Sequence, residues 1–89
     1  MKEDFFKAIH DYLEQVTKDN FSSKYDGLAD IVINYNKQGM GSKAIYAAID
    51  VYYKEFGDSM SDWQDEVFLE ISNCIHGYCP PFKDIKLLD

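Results

Sequence analysis

Apolar residues recur at intervals of three and four along almost the whole chain, the spacing that places side chains on one face of an α-helix. The pattern predicts four helices separated by short polar or glycine-containing loops. Their expected bounds are residues 3–17, 23–37, 43–56 and 62–76. With 89 residues, the chain is expected to form a single all-α domain, residues 1–89, folded as a compact four-helix bundle with an extended C-terminal tail.

Turn and capping residues support these helix bounds. Ser22 or Ser23 is expected to cap the second helix and Ser42 the third, because a serine side chain accepts a hydrogen bond from a free backbone amide at a helix start. Gly39 stands where a residue with positive φ commonly ends a helix.

The fourth helix has the clearest boundaries. Ser61 followed three residues later by Gln64 forms a capping-box pattern. Trp63 begins the inner apolar stripe of this helix and is expected to be largely buried. The prolines at positions 80 and 81 cannot continue a helix, so residues 78–89 are predicted to be extended or to form a short turn.

The charge composition argues against several classes of function. The chain has 16 acidic residues, nine lysines and no arginine, for a net charge of −7. Without the planar fork of arginine, general recognition of phosphates and base edges is disfavoured. No apolar stretch is long enough to span a membrane, and the first residues are amphipathic and acidic rather than signal-like. We therefore expect a cytoplasmic protein whose two cysteines are free thiols.

Negative charge is concentrated in one segment of the sequence. Residues 1–54 have a net charge of −1 and residues 83–89 of zero, whereas residues 55–82 contain six acids and no lysine. Asp62, Glu66 and Glu70 follow one another at four-residue intervals on the fourth helix, where each like-charge pair costs about 0.2–0.5 kcal/mol. Two interpretations remain open: a solvated helix face, or a docking surface for a basic partner.

Two tyrosines of the third helix could contribute to such a surface. Tyr46 and Tyr53 are seven residues apart, two turns along the same side, with Asp50 between them. Tyrosine beside carboxylates is typical of a protein-binding hot spot, a small group of residues that supplies most of the binding energy. Alternatively, the third helix is central, and both rings pack at the rim of the core with their hydroxyls at the surface.

No metal, cofactor or catalytic site is predicted. Cys74, His76 and Cys79 are three potential ligands within six residues, but a structural zinc site requires a fourth. His10 could supply it only if two helix ends met. The chain has no glycine-rich phosphate loop and no evident nucleophile with its base, so we do not expect an enzyme.

Residues 33–45 resemble the turn of helix-turn-helix DNA-binding domains, in which a glycine-containing turn leads into a recognition helix. Such helices use cationic and amide side chains to contact bases and phosphates. The corresponding segment here, residues 42–50, has one lysine, Lys43, and an aspartate, Asp50. A DNA-associated regulatory domain is therefore an alternative, which a mobility shift at low salt would test.

As a whole, the chain is similar to the small, acidic, all-helical immunity proteins that bacteria encode beside toxins, including those of contact-dependent growth inhibition. The resemblance lies in size, helix content, net charge and the tyrosine- and carboxylate-bearing region over residues 42–70. It implies a protein-binding inhibitor that forms a tight one-to-one complex with a basic toxin domain, most simply a nuclease, whose cleft binds a polyanion. A structural or oligomeric interaction module is a further alternative. The residues expected to bind the toxin are Tyr46, Asp50, Tyr53, Glu55, Asp58, Asp62, Asp65, Glu66 and Glu70.

Overall fold

The computed structural model describes residues 2–77 and 85–88, apart from the side chain of Lys2. Within these ranges the chain forms four α-helices and no strand, which confirms the predicted all-α bundle. Two short 3-10 turns precede the second and fourth helices, Phe21–Ser23 and Gly57–Ser59. The helices are α1 (Lys2–Leu13), α2 (Tyr25–Lys37), α3 (Ser42–Phe56) and α4 (Asp62–Ile75).

Consecutive helices run in opposite directions. Phe5, near the start of α1, packs edge-on against Tyr35, near the end of α2, with 5.2 Å between ring centroids. Tyr12, near the end of α1, donates a hydrogen bond to the carbonyl of Lys24, just before α2. The α3–α4 pair is likewise antiparallel, since the end of α3 lies beside the first half of α4. Both α1 and α4 pack against α2 and α3, so the core lies among all four helices.

Most residues of the predicted apolar stripes are buried. Phe68 and Met40 join them in the core, although the spacing argument did not assign them to it, and Ile85 of the tail is buried as well. The buried stripe residues are Phe5, Ile9, Leu13, Val16, Tyr25, Leu28, Ala29, Val32, Ile45, Ala48, Ile49, Tyr52, Val67, Ile71, Cys74 and Ile75.

Trp63 lies at the edge of this core and is only partly buried. Its ring packs against Phe21 of the first 3-10 turn, with 4.9 Å between centroids. The expectation of a largely buried tryptophan was therefore too strong. On this side of α4 the described residues place one ring, that of Phe21, against the indole, and one ring does not enclose it.

The first helix ends four residues before the predicted position 17, at Leu13. Beyond Leu13 the backbone hydrogen bonds span three residues instead of four. The amide of Val16, for example, donates to the carbonyl of Leu13. The Asn20 side chain then accepts a hydrogen bond from the Thr17 amide and donates one to the carbonyl of Gln15. These bonds satisfy backbone groups that another turn of helix would otherwise pair, so α1 stops early.

Two of the predicted caps are wrong and two of the predicted boundary signals are confirmed. Ser22 and Ser23 belong to the 3-10 turn, and Lys24 is the N-cap of α2, without a side-chain bond. Ser42 is the first residue of α3 rather than its cap, which is Gly41. The two confirmed signals are the positive φ of Gly39, 117°, and the capping box at the start of α4. In that box both reciprocal hydrogen bonds between Ser61 and Gln64 are present.

The side chain of Asn36 fixes the tail against the end of α2. Asn36 is buried, and its amide nitrogen donates to the carbonyls of Met40 and Leu88 at 2.9 and 2.8 Å. Its Oδ1 accepts from the Leu88 amide at 2.7 Å, and the Leu88 carbonyl also accepts from the Ser42 amide, at the start of α3. Ile85 of the same segment is buried. Residues 85–88 thus belong to no helix or strand and are packed onto the bundle; the rest of the predicted tail lies outside the described residues.

The approach of α1 to α2 depends on a glycine within α2. A Cβ atom at Gly27 would overlap the hydroxyl end of Tyr12. That hydroxyl donates to the carbonyl of Lys24 at 2.9 Å, so the ring is held in this position. The Lys24 ammonium lies 5.3 Å from the centroid of the same ring. The absence of a side chain at position 27 thus creates the space in which Tyr12 packs.

Candidate protein-binding face

The outer surface of α4 exposes two of the predicted acidic residues. Asp62 and Glu66 are exposed, together with Asn73 and Leu69, the latter at 39%. Successive residues of an α-helix are about 100° apart around its axis, so these four positions share one side. Asp62 belongs to the first turn, where a carboxylate is stabilised by the positive end of the helix dipole.

Asp65 and Glu70 occupy opposite flanks of this surface. Both are partly buried, and five intervening steps place them about 140° apart around the α4 axis. Asp65 faces α3, because it accepts a hydrogen bond from Tyr53 of that helix. Glu70 therefore lies on the flank away from α3, and it is not brought together with the α3 residues of the predicted site.

Tyr53 is fixed at the junction of α3 and α4. Its ring stacks on Phe68 with 5.7 Å between centroids and 14° between planes, and its hydroxyl donates to Oδ1 of Asp65 at 2.8 Å. The ring is still 37% exposed. The hydrogen bond to Asp65, then burial, and then the charges of Asp65 and Asp58 raise the pKa of Tyr53. The phenol is consequently a neutral donor held among carboxylates.

Tyr46 lies two turns earlier along the same α3–α4 junction. It is partly buried, and its ring lies 4.8 Å from that of His76, just beyond α4. Asp50, between Tyr46 and Tyr53 in sequence, is exposed. Both tyrosines thus have packing partners in the bundle, and Tyr53 also presents part of its ring to solvent.

Of the two remaining predicted acids, one joins this region and one does not. Asp58 is exposed on the second 3-10 turn, close enough to Tyr53 for its charge to affect that phenol. Glu55 is two residues beyond Tyr53 on α3, which places it about 160° away around the helix axis. Because Tyr53 faces α4, Glu55 faces away from it. The acidic face is therefore defined here by Asp58, Asp62, Asp65 and Glu66, together with Tyr53 and Leu69.

Leu69 was missed by the reasoning from sequence. It lies three residues after Glu66 and seven after Asp62, so it stands within the acidic stripe of α4. An apolar residue at a position that periodicity assigns to solvent was the available signal. In the structure it places an exposed aliphatic group among the carboxylates, the mixture of apolar centre and polar rim found in protein interfaces.

The residues considered for metal binding do not assemble within the described part of the chain. Cys74 is a buried free thiol on the inner side of α4, whereas His76 is exposed and stacks with Tyr46. Cys79 lies outside the described residues. Across residues 2–77 and 85–88, no group of three histidine, cysteine or acidic side chains is placed to hold an ion.

In the helix-turn-helix alternative, the exposed side of α3 would have to contact DNA. Ile45, Ile49 and Tyr52 of this helix are buried in the core, which leaves Lys43 and Asp50 among its exposed residues.

The described helices also include none with the length and apolar content needed to cross a membrane.

Comparison of the chain with protein-family models, with curated proteins and with solved structures gave no significant match.

Proposed function

We propose that this protein is a protein-binding inhibitor, an immunity protein that neutralises a basic bacterial toxin through the acidic face. The main support is the arrangement around Tyr53, a partly exposed aromatic ring held by Asp65 and bordered by further carboxylates. No lysine occurs between residues 55 and 82, so no lysine of that segment offsets this charge. The partner suited to such a surface has a basic cleft, as nucleases do.

Charge and aromatic contacts are expected to act on different rate constants. Long-range attraction between the acidic face and a basic partner mainly accelerates association, and salt screens it. A buried ring at the centre of an interface mainly slows dissociation. Because Tyr53 is already fixed by Phe68 and Asp65, its ring would lose little rotamer freedom on binding.

The test begins by identifying the partner through co-purification from the native host and then uses the two purified proteins. Asp62→Lys combined with Glu66→Lys should slow association and flatten its dependence on salt. The matched control is Asp26→Lys with Asp30→Lys, which makes the same charge change at two exposed positions four residues apart on α2. Tyr53→Ala should raise the dissociation rate about 30-fold, the equivalent of about 2 kcal/mol for a hot-spot residue.

The control variant distinguishes an effect of charge at the acidic face on association from an effect of the protein's net charge. If both double variants change association to the same extent, only the overall charge matters and the acidic face is a solvated surface. Unchanged rates in the α4 variant, with its helical circular dichroism intact, would lead to the same conclusion.

A further inference from the structure

A small crevice lies on another part of the bundle, where the ends of α1 and α3 meet the segment before α4. Its volume is about 120 Å3. Tyr52 and Phe56 contribute adjacent rings, with 4.8 Å between centroids, and the ring of His10 lies 6.2 Å from that of Phe56. The thioether-bearing side chain of Met60 also lines it. The walls therefore combine the rings of His10 and Phe56 and the thioether of Met60 with polar side chains, while Tyr52 itself is 2% exposed.

A carboxylate stands at the opening of the crevice. Oε1 of Glu14 is 2.9 Å from Nε2 of His10, and both side chains are more than half exposed, at 64% and 55%. Burial, and then the charge of Glu14, raise the pKa of the Tyr52 phenol, so this carboxylate is electrostatically close to the hydroxyl. The described residues that line the crevice include no lysine. The site thus combines aromatic side chains with one carboxylate, which already has His10 within hydrogen-bond distance.

We propose that this crevice binds an alkylammonium group, the end of a lysine side chain of the basic partner. The choice of a lysine as the source rests on the proposed function; the ammonium chemistry rests on the crevice alone. Aromatic faces within about 6 Å attract a cation, and Glu14 supplies the opposite charge beside them. A water molecule takes about 30 Å3 in the liquid, so 120 Å3 has room for an ammonium group and the methylenes next to it.

The side chains that line the crevice are held in place by hydrogen bonds, which favours binding of an ammonium group. Gln64, which lines it, donates from its side chain to the carbonyl of Leu13 and accepts from the Ser61 amide. These two bonds join the end of α1 to the start of α4, so the walls are already held in place before a ligand arrives. A preformed site spends little binding free energy on ordering its own side chains.

The first experiment uses n-butylammonium as the probe and 1-butanol as a neutral molecule of similar shape. In amide NMR spectra, butylammonium should produce saturable shifts at residues around the crevice, with an affinity at least tenfold above that of butanol. Glu14→Gln should weaken butylammonium binding at least tenfold, and Phe56→Leu several-fold through loss of the ring. The matched control is Glu3→Gln, an exposed acid near the start of α1, which should leave the affinity unchanged.

Two results would overturn the ammonium site. One is equal binding of butylammonium and butanol to the unaltered protein, a comparison that needs no variant to fold. The other is an equal loss of affinity in Glu14→Gln and Glu3→Gln, because the probe would then respond only to net charge.

A second experiment tests the source of the ammonium group with the purified partner. Glu14→Gln should weaken the complex about tenfold relative to Glu3→Gln; no difference between them would show that a partner lysine is not the ligand. The two proposals can fail separately. If reversal at Asp62 and Glu66 slows association but butylammonium binds no better than butanol, the ammonium site is wrong and the proposed function stands. If butylammonium binds as expected but that reversal has no effect on association, the proposed function is wrong and the ammonium site stands.

Discussion

Replacing Asn36 by alanine should release the tail from the bundle at Leu88. The side chain makes three hydrogen bonds of 2.7–2.9 Å, two of them to the backbone of Leu88 and one to that of Met40. At about 1 kcal/mol each, their loss should lower the free energy of unfolding by about 3 kcal/mol. Release of Leu88 alone limits the cost, because it is 66% exposed and its backbone can then bond to water while Ile85 stays buried. We therefore expect a loss of about 2–3 kcal/mol.

The assay is urea unfolding followed by circular dichroism, with Asn34→Ala as the matched control on the same helix. Asn34 is exposed, so its truncation should change stability by less than about 0.5 kcal/mol. Hydrogen exchange supplies a local readout, because the amides of Leu88 and Ser42 should lose protection in Asn36→Ala. A cost below about 1 kcal/mol, or protected amides at both positions, would refute the inference that Asn36 holds the tail.

Three further predictions concern α4 and its contacts. Trp63→Ala should cost about 2–3 kcal/mol in urea unfolding, below the usual value for a fully buried aromatic, and a loss above 4 kcal/mol would contradict its position at the core edge. Ser61→Ala should cost about 1 kcal/mol by removing the cap bond to the Gln64 amide, and a matching cost for Ser22→Ala, at an exposed serine of the first 3-10 turn, would show that the cap is not responsible. Asp65→Asn should lower the pKa of Tyr53 towards its ordinary value, as measured by phenolate absorbance. Because the folded protein holds the Tyr53 proton more tightly than the unfolded chain, the contribution of this phenol to stability should be complete below about pH 10 and be lost as pH rises through the folded-state pKa.

The fold was largely predictable because its main determinants are local. The three- and four-residue spacing of apolar side chains identified all four helices, and Gly39 and the Ser61–Gln64 capping box marked two of their boundaries correctly. The early end of α1 was not predictable in this way. It depends on the orientation of the Asn20 side chain relative to backbone groups of the following loop, a geometry that residue types alone do not specify.

The candidate site was likewise predictable where its features depend on one helix alone, and not where they depend on how two helices pack. Exposure of Asp62 and Glu66 follows from their positions opposite the apolar stripe of α4. The contact of Tyr53 with Asp65 depends on how α3 and α4 are rotated against each other, which the packing of both helices determines. The separation of Glu55 from Tyr53 could have been recognised, since two residues on one helix point to nearly opposite sides.

Gly27 also determines which substitutions the chain can accept together. Alanine is about 1 kcal/mol better than glycine inside a helix, so propensity alone favours Gly27→Ala. Its methyl group would displace Tyr12 and the hydrogen bond of that hydroxyl to Lys24. Positions 12 and 27 are therefore coupled: a relative with alanine at 27 should carry a smaller residue at 12. A Cβ atom at Gly39 would meet open space, so the restriction there is the φ of 117° and not a neighbouring side chain. Covariation is expected for the first glycine and not for the second.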